Sequence, residues 1–317
     1  MQNVMNCLSG LSNWVAPAIA DAAAIPHGDM PGDKVEIGQG HIEKANRIFP
    51  VLVQQLQQVV AQNPSQRAVV CVCGGSGVGK SEIASLLGYY LQQAGIGSYV
   101  LSGDNYPHRI PKQNDAERLR VFRCGGLRGL VGSGLYTEQA KQVLLQLQQQ
   151  DQDAAPALCE QYPWLETYQN EGRKALSNYL GTANEQNFDE LSSIVSQFKN
   201  GAEHIYLKRM GRTETELWYD KVDMSAVNVL LIEWTHGNSD NYQGVDIPVL
   251  LNSTPQETLE HRRSRGRDGA VDSPFTTMVL EIEQRKLESQ AHKAKIIVAK
   301  SGELLSYAQY RTLMAQQ

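Results

Sequence analysis

A glycine-rich stretch followed by a lysine and a serine is the part of this sequence best suited to bind phosphate. It reads GGSGVGKS and fits the pattern Gly-x-x-x-x-Gly-Lys-Ser. Glycines allow several backbone N–H groups to point toward phosphate oxygens, and a following helix adds the positive end of its dipole. The candidate nucleotide-binding residues are Gly74, Gly75, Ser76, Gly77, Val78, Gly79, Lys80 and Ser81.

Two side chains of this loop have separate roles in such a pattern. Lys80 reaches the β- and γ-phosphates of a nucleotide, and the hydroxyl of Ser81 is a ligand for Mg²⁺. An apolar run precedes the loop and an amphipathic run, residues 81–95, follows it, which is the strand–loop–helix context that the pattern requires. The alternative is a glycine-rich turn without a ligand. The context favours ATP and Mg²⁺ as cofactors.

An acidic residue follows the second predicted strand, in the stretch SGDNYPHR. Asp104 comes one helix and one strand after Lys80, so both are expected at the carboxyl edge of a parallel sheet, where such folds bind ligands. A carboxylate there can accept a proton from an attacking hydroxyl group or hold Mg²⁺ through water. The alternative is a loop in which Asp104 and Asn105 only hydrogen-bond to nearby backbone.

A second acidic residue ends the third predicted strand, in the stretch VNVLLIEWTHG. Glu233 follows an apolar run, and a buried carboxylate has to be paired or bound to a metal. We expect it to complete a Mg²⁺ site with Ser81, as the acidic residue of a Walker-B strand does.

Four arginines crowd the stretch HRRSRGRD, which follows the fourth predicted strand. One interpretation is a solvated helix face. The other is a lid whose cations neutralise a phosphoryl group during its transfer. We favour the lid, with Arg263 and Arg267 as its candidate catalytic residues.

Five short apolar runs predict strands that are buried on both faces of a parallel sheet. Helical patterns lie between them, which indicates an α/β fold of the P-loop NTPase type, with about five parallel strands and helices on both faces. The predicted strands are Ala68–Cys73, Ser98–Ser102, Val227–Glu233, Ile247–Asn252 and Lys295–Ala299.

Two regions lie outside this predicted core. Residues 1–66 are expected to form an N-terminal extension that ends in a helix, and residues 67–317 to form the P-loop domain. A helical insertion is expected at about 111–187, because the stretches TEQAKQVLLQLQQQDQD and ETYQNEGRKALSNYL are typical of helices.

Composition excludes several classes of protein. The formal net charge is -5, so we expect no nucleic acid partner, because proteins that bind the phosphate backbone usually have a basic face. No apolar run approaches the ~18 residues of a membrane span, so we expect no membrane partner. The five cysteines show no metal-ligand spacing, which favours a reducing, cytoplasmic compartment.

Taken together, these elements resemble the phosphoribulokinase/uridine kinase family of P-loop metabolite kinases. The resemblance runs in order through GGSGVGKSE, SGDNYPHR, NFDELSSIVSQFKNG, LLIEWTHG and HRRSRGRD, from about residue 67 to 300. It implies a catalytic base at Asp104 and a Mg²⁺ ligand at Glu233. The sequence departs from the family pattern at Trp234, where the family usually has glycine.

The leading hypothesis is an ATP- and Mg²⁺-dependent kinase that phosphorylates a hydroxyl group of a sugar, sugar phosphate or nucleoside. A basic set in an acidic protein makes an anionic acceptor plausible, although ordinary loop charges explain it equally well. The candidate acceptor-site residues are Tyr106, His108, Arg109, Lys208, Arg209 and Arg212. The alternative function is a nucleotide-binding regulator without an acceptor. A guanine-nucleotide switch is disfavoured, since no Asn-Lys-x-Asp element is in place, and a homodimer stays open.

Overall fold

The computed structural model describes residues 4–260, 263 and 273–316. Its helices are α1 Val4–Gly10, α2 Gln39–Gln62, α3 Lys80–Gln93, α4 Pro111–Gly132, α5 Glu138–Gln149, α6 Trp164–Ser177, α7 Phe188–Lys199, α8 Pro274–Gln290 and α9 Tyr307–Met314. Its strands are β1 Ala68–Gly74, β2 Ser98–Ser102, β3 His204–Met210, β4 Leu217–Asp223, β5 Val229–Glu233, β6 Ile247–Leu251, β7 Ile296–Val298 and β8 Leu304–Leu305.

The main sheet has six strands in the order β2-β5-β1-β6-β7-β8. The first five strands of that order are parallel, and β8 joins the edge antiparallel to β7. The predicted α/β fold of the P-loop type is therefore confirmed, and the five predicted strands differ from the observed ones by no more than two residues at either end.

Both faces of this sheet are covered, which explains why its strands lack a polar alternation. All seven residues of β1 are buried. Val70 and Val72 belong to an apolar cluster with residues of α2 and α3, whereas Cys71 and Cys73 belong to a second cluster with residues of α7. Side chains alternate between the two faces of a strand, so both parities have to be apolar here.

A separate antiparallel hairpin of β3 and β4 was not predicted from the sequence. Most of β4 is exposed, so it lacks the apolar pattern by which a buried strand is recognised. The hairpin matters for the site because Lys208 and Arg209 lie on β3.

The chain divides into two compact units. The first contains residues 1–106, 187–253 and 287–317, and it includes both sheets. The predicted N-terminal extension lies in this unit, where Ile48, Leu52 and Leu56 of α2 pack in the core of the main sheet.

The second unit contains residues 107–186 and 254–286, so it includes the predicted helical insertion and the first part of α8. Helices α4 and α6 pack closely there, since a Cβ added at Gly126 would lie 2.4 Å from the ring of Tyr168. Phe122, Leu165 and Met278 belong to the apolar core of this unit.

Over the part of the chain that the structure describes, no helix has the length and apolar character that a membrane crossing needs. None of the five cysteines forms a disulfide.

Candidate active site

The loop between β1 and α3 contains the predicted phosphate-binding residues. Gly77 and Gly79 have φ angles of 76° and 95°, in the left-handed region that glycine adopts without strain. Helix α3 begins directly afterwards at Lys80, and the first N–H groups of a helix lack intrahelical acceptors and can bind an anion. The Nζ of Lys80 donates a hydrogen bond of 3.0 Å to the carbonyl of Gly75, across the loop.

Ser81 and Glu233 are in contact at the carboxyl edge of the sheet. The hydroxyl of Ser81 donates a hydrogen bond of 3.1 Å to Oε2 of Glu233, and the hydroxyl of Ser102 donates one to Oε1. The contact follows from the strand order, because β5 lies between β1 and β2 with Glu233 opposite Val72 and Ser102.

In the described part of the chain, the groups around the Glu233 carboxylate favour its neutral form over its charged form. Glu233 is buried, with 4% of its surface exposed. Burial raises the pKa of Glu233 to about 8, the charge of Asp104 adds to the increase, and Lys80 and the Ser102 hydroxyl partly oppose it. An ionised carboxylate in such a place is unfavourable unless a cation accompanies it. A divalent cation would supply that charge.

The donor set around Glu233 fits Mg²⁺. A hydroxyl and a carboxylate are hard oxygen ligands, and Mg²⁺ in kinases is usually bound by one or two carboxylates together with substrate phosphates and water. Within the described residues, no group of three or more His, Cys, Asp or Glu side chains could hold a metal. Ser81 and Glu233 are the residues that would hold it.

Asp104 lies on a single short turn directly after β2. The turn, Gly103–Asn105, is a 3-10 helix. Asp104 is exposed, whereas Gly103 and Asn105 are buried. Ser102, two residues before Asp104, lies opposite Glu233 in the sheet, and the charge of Asp104 contributes to the raised pKa of Glu233. The predicted base and the predicted metal ligand therefore share one edge of the sheet.

Trp234, which departs from the resembled pattern, packs against this turn. It is 1% exposed, and its ring contacts the rings of Phe188 and Tyr242, at centroid distances of 5.2 and 5.7 Å. A Cβ added at Gly103 would lie 2.0 Å from Cγ of Trp234. The indole thus occupies the space beside Gly103 and supports the backbone that carries Asp104.

Three of the predicted acceptor-site residues cluster between β3 and the turn. Tyr106 is fully buried, and Nζ of Lys208 lies 5.2 Å from the centre of its ring. Lys208 is also 3.8 Å from a carboxylate oxygen of Glu190, and burial lowers its pKa while Glu190 opposes the decrease. Arg209 pairs with the carboxylates of Asp29 and Asp220. Each of the two cations therefore has an anionic partner in the protein.

The other predicted acceptor-site residues are not part of this cluster. The backbone N–H of Arg212 donates to Glu216 in the turn between β3 and β4, and its side chain is exposed. His108 and Arg109 belong to the second unit. There His108 contacts the carbonyl of Ala183, with Nε2 at 2.9 Å from the oxygen, and Arg109 donates to the hydroxyl of Tyr179.

The predicted lid is only partly described. Arg263 is helical and exposed, whereas Arg267 lies outside the described residues. Their roles stay predictions.

The sequence did not reveal Ser102 and Asp29 as parts of this site. The position of Ser102 at the end of a predicted strand, two residues before Asp104, was a signal that could have identified it. Asp29 carries no such signal, because it lies in a segment without regular secondary structure and its contacts are distant in the chain.

One curated relative is similar over most of the chain. The sequence is 37% identical over 261 residues to the "Bifunctional alpha-galactosidase/sucrose kinase AgaSK" of Mediterraneibacter gnavus. The alignment includes 82% of this chain and 23% of the relative, so the chain spans less than a quarter of the length of the curated relative it matches. The resemblance to P-loop metabolite kinases is thereby confirmed. No family model matches the chain.

Two solved structures are distantly similar. One is a possible uridine kinase from Bacillus stearothermophilus, with a TM-score of 0.41 and 14% identity, which covers 78% of this chain and 98% of that chain. The other is a putative fructose transport system kinase from a Silicibacter species, with a TM-score of 0.40 and 14% identity. Its match covers 80% of this chain and 96% of that chain.

Proposed function

We propose that this protein is an ATP- and Mg²⁺-dependent kinase that transfers the γ-phosphoryl group to a hydroxyl of a neutral sugar. The observation that carries the proposal is the contact between Ser81 and Glu233 beside the phosphate loop, with Asp104 on the turn that follows the neighbouring strand β2. It combines an anion site, a metal site and a candidate base at one edge of the sheet.

The curated relative is named for two activities, and the position of the alignment favours the kinase activity for this chain. An alignment of 261 residues in a chain of 317 includes the central part of the sequence, from the phosphate loop to Glu233. A phosphate loop serves nucleotide binding, whereas glycoside hydrolysis usually needs two carboxylates that flank a sugar bond and no phosphate site. The sucrose kinase named in that relative makes a neutral sugar the natural first candidate.

The charges near Asp104 also favour a neutral acceptor over a sugar phosphate. Lys208 pairs with Glu190, and Arg209 pairs with Asp29 and Asp220. Such cations offer little net positive charge to an anionic acceptor. The anionic acceptor considered from the sequence rested on these two side chains together with those of His108, Arg109 and Arg212.

In the proposed reaction the residues of this chain bind and orient the reactants. The backbone of residues 74–81 and the Nζ of Lys80 hold the phosphates, and Ser81 and Glu233 hold the metal. When bound, Mg²⁺ neutralises charge on the transferred phosphoryl group. The carboxylate of Asp104 accepts the proton of the attacking hydroxyl. The hydroxyl oxygen then bonds to the γ-phosphorus while the bond from that phosphorus to the β,γ-bridging oxygen breaks, and ADP leaves.

A panel of acceptors tests the proposal. ADP release and mass spectrometry of the product are measured with sucrose, other neutral sugars, sugar phosphates and nucleosides, using Lys80→Ala as the inactive control. We expect ATP consumption that depends on a neutral sugar and a product heavier by one phosphoryl group. Phosphorylation of only sugar phosphates or only nucleosides would contradict the neutral-sugar assignment.

The competing function is a nucleotide-binding regulator without an acceptor. It is favoured if the protein binds ATP but no member of the panel accelerates ATP consumption above its rate in water.

We also propose a cytoplasmic location, because all five cysteines are unpaired and reduced thiols are typical of that compartment.

A further inference from the structure

The N-terminal segment of residues 25–38 runs beside the metal-binding carboxylate. A Cβ added at Gly28 would lie 3.6 Å from Cγ1 of Val100 and 4.0 Å from Oε1 of Glu233. The charge of Asp33 also contributes to the raised pKa of Glu233. This segment therefore forms part of the site, although it has no motif in the sequence.

Asp29, in this segment, is buried and accepts four hydrogen bonds. Its side chain is 9% exposed. Oδ1 accepts from the backbone N–H of Ser102 at 2.8 Å and from Nδ2 of Asn105 at 3.1 Å. Oδ2 accepts from the hydroxyl of Tyr99 at 3.0 Å and from NH1 of Arg209 at 2.8 Å. Both of its oxygens are thus fully used by the protein.

The two donors to Oδ1 lie on either side of Asp104 in the chain. Ser102 ends β2, and Asn105 closes the short turn that carries Asp104. Asn105 is held from the other direction as well, because its Oδ1 accepts a hydrogen bond of 2.9 Å from the backbone N–H of Met210. Asp29 and the β3–β4 hairpin therefore fix both ends of the turn.

Each of the three guanidinium nitrogens of Arg209 has a partner within the protein. Besides Asp29, its NH2 donates to the hydroxyl of Tyr99 at 2.9 Å, and its NH1 donates to the carbonyl of Lys208 at 3.1 Å. Its Nε lies 3.0 Å from Asp220, which also accepts from the indole N–H of Trp218. A buried charge left without its partner is strongly unfavourable. Moving Arg209 away from Asp29 to bind a substrate would therefore cost a large amount of free energy.

We infer that Asp29 is a positioning residue that orients the Asp104 turn for phosphoryl transfer, and that Arg209 is its counter-ion and not a substrate ligand. The inference rests on the proposed kinase function. A displacement of about 1 Å at a reacting group can cost about 100-fold in rate, so the bonds from Asp29 control catalysis without touching a substrate.

The variant Asp29→Asn tests the positioning role. An amide offers one acceptor oxygen and adds two N–H donors. In the variant, the amide nitrogen therefore faces two groups that donate hydrogen bonds to one of the Asp29 oxygens in the parent. With the acceptor that the panel identifies, we expect kcat to fall about 10- to 100-fold while the KM for ATP changes less than about 2-fold. The matched control is Asp21→Asn, because Asp21 is exposed and only caps a short turn, and its kcat should equal that of the parent.

A double variant separates positioning from mere stabilisation. Asp29→Asn with Arg209→Gln removes the buried charge imbalance, so its melting temperature should recover relative to Asp29→Asn, whereas its kcat should stay low. Parental kcat in either variant would overturn the role of Asp29.

Arg209→Gln alone tests the counter-ion role. We expect a lower melting temperature and kcat with little change in the KM for the acceptor. A KM raised about 10-fold at parental kcat would identify Arg209 as a substrate ligand and overturn that part of the inference. A parent that is inactive on neutral sugars but active on another acceptor contradicts the proposed function only, since the role of Asp29 is read from the ratio of variant to parent.

Discussion

The hydroxyl of Ser81 donates a hydrogen bond to Glu233, although the two residues are 152 positions apart in the chain. Ser81 lies in the first turn of α3 after the phosphate loop, and Glu233 ends β5, the strand next to β1. The parallel order of the sheet brings them together, and their oxygens match the ligands that Mg²⁺ prefers.

Lys80→Ala should weaken ATP binding roughly 10- to 100-fold, because a hydrogen bond to a charged group contributes about 1.5–3 kcal/mol. The fold should persist, since the only hydrogen bond of Nζ recorded within the described residues goes to Gly75 in the same loop. Titration calorimetry with ATP and Mg²⁺ measures the affinity, and thermal denaturation checks the fold.

The matched control for Lys80→Ala is Lys141→Ala, which removes a lysine from the surface of α5. It should bind ATP as tightly as the parent. Equal ATP affinity in Lys80→Ala and Lys141→Ala would mean that the phosphate site lies elsewhere.

Glu233→Gln should stabilise the metal-free protein at alkaline pH. Burial raises the pKa of Glu233 in the folded state to about 8, above its ordinary value of 4.5. The folded state therefore binds the proton of the Glu233 carboxyl group more tightly than the unfolded state does. The stability that the proton contributes is fully present below pH 4.5 and is lost as the pH rises through 8.

Glutamine does not titrate, so the variant should keep its stability over the same range. The difference in free energy of unfolding should grow with pH by about 5 kcal/mol in favour of the variant between pH 4.5 and 8, since each pKa unit corresponds to about 1.36 kcal/mol. Urea denaturation in EDTA at several pH values measures it. A difference that does not change with pH would be inconsistent with a buried carboxylate lacking its cation.

Gly103→Ala should lower both stability and kcat. The added Cβ would lie 2.0 Å from the indole of Trp234, so either the indole or the turn that carries Asp104 has to move. Overpacking of this kind costs about 1–3 kcal/mol. Gly132→Ala is the control, because a Cβ there meets nothing within 4 Å. Parental melting temperature and kcat in Gly103→Ala would show that Trp234 does not constrain the turn.

The parts of the fold that the sequence predicted are those with a local pattern. The phosphate loop is one continuous motif, and the five parallel strands are continuous apolar runs because both faces of the sheet are covered. The β3–β4 hairpin was missed because an exposed strand such as Leu217–Asp223 shows no such run.

The candidate site was predictable to the same extent. Glu233 stands out because it ends a predicted strand, and Asp104 because it follows another by two residues, and the carboxyl ends of parallel strands meet at one edge. Asp29 could not be predicted, since its partner Arg209 is 180 positions away and residues 25–38 have no helical or strand periodicity. A buried ion pair of this kind is specified by tertiary structure alone.

Asp104→Asn separates a kinase from a nucleotide-binding regulator. Asparagine keeps the size and much of the hydrogen bonding of aspartate but cannot accept the proton of an attacking hydroxyl. Loss of a general base typically costs roughly 10²–10⁴ in rate. The affinity for ATP should stay near that of the parent, because the phosphate loop, Lys80 and Ser81 are intact. Binding and turnover should therefore respond differently to the substitution.

The most direct test of the proposed kinase is single-turnover phosphorylation of the identified acceptor by the parent and by Asp104→Asn, with ATP affinity measured on the same samples. The expected result is parental ATP affinity with phosphorylation slower by about 10²–10⁴. Phosphorylation at the parental rate in Asp104→Asn would contradict the role of Asp104 as the base and, with it, the proposed arrangement of the site.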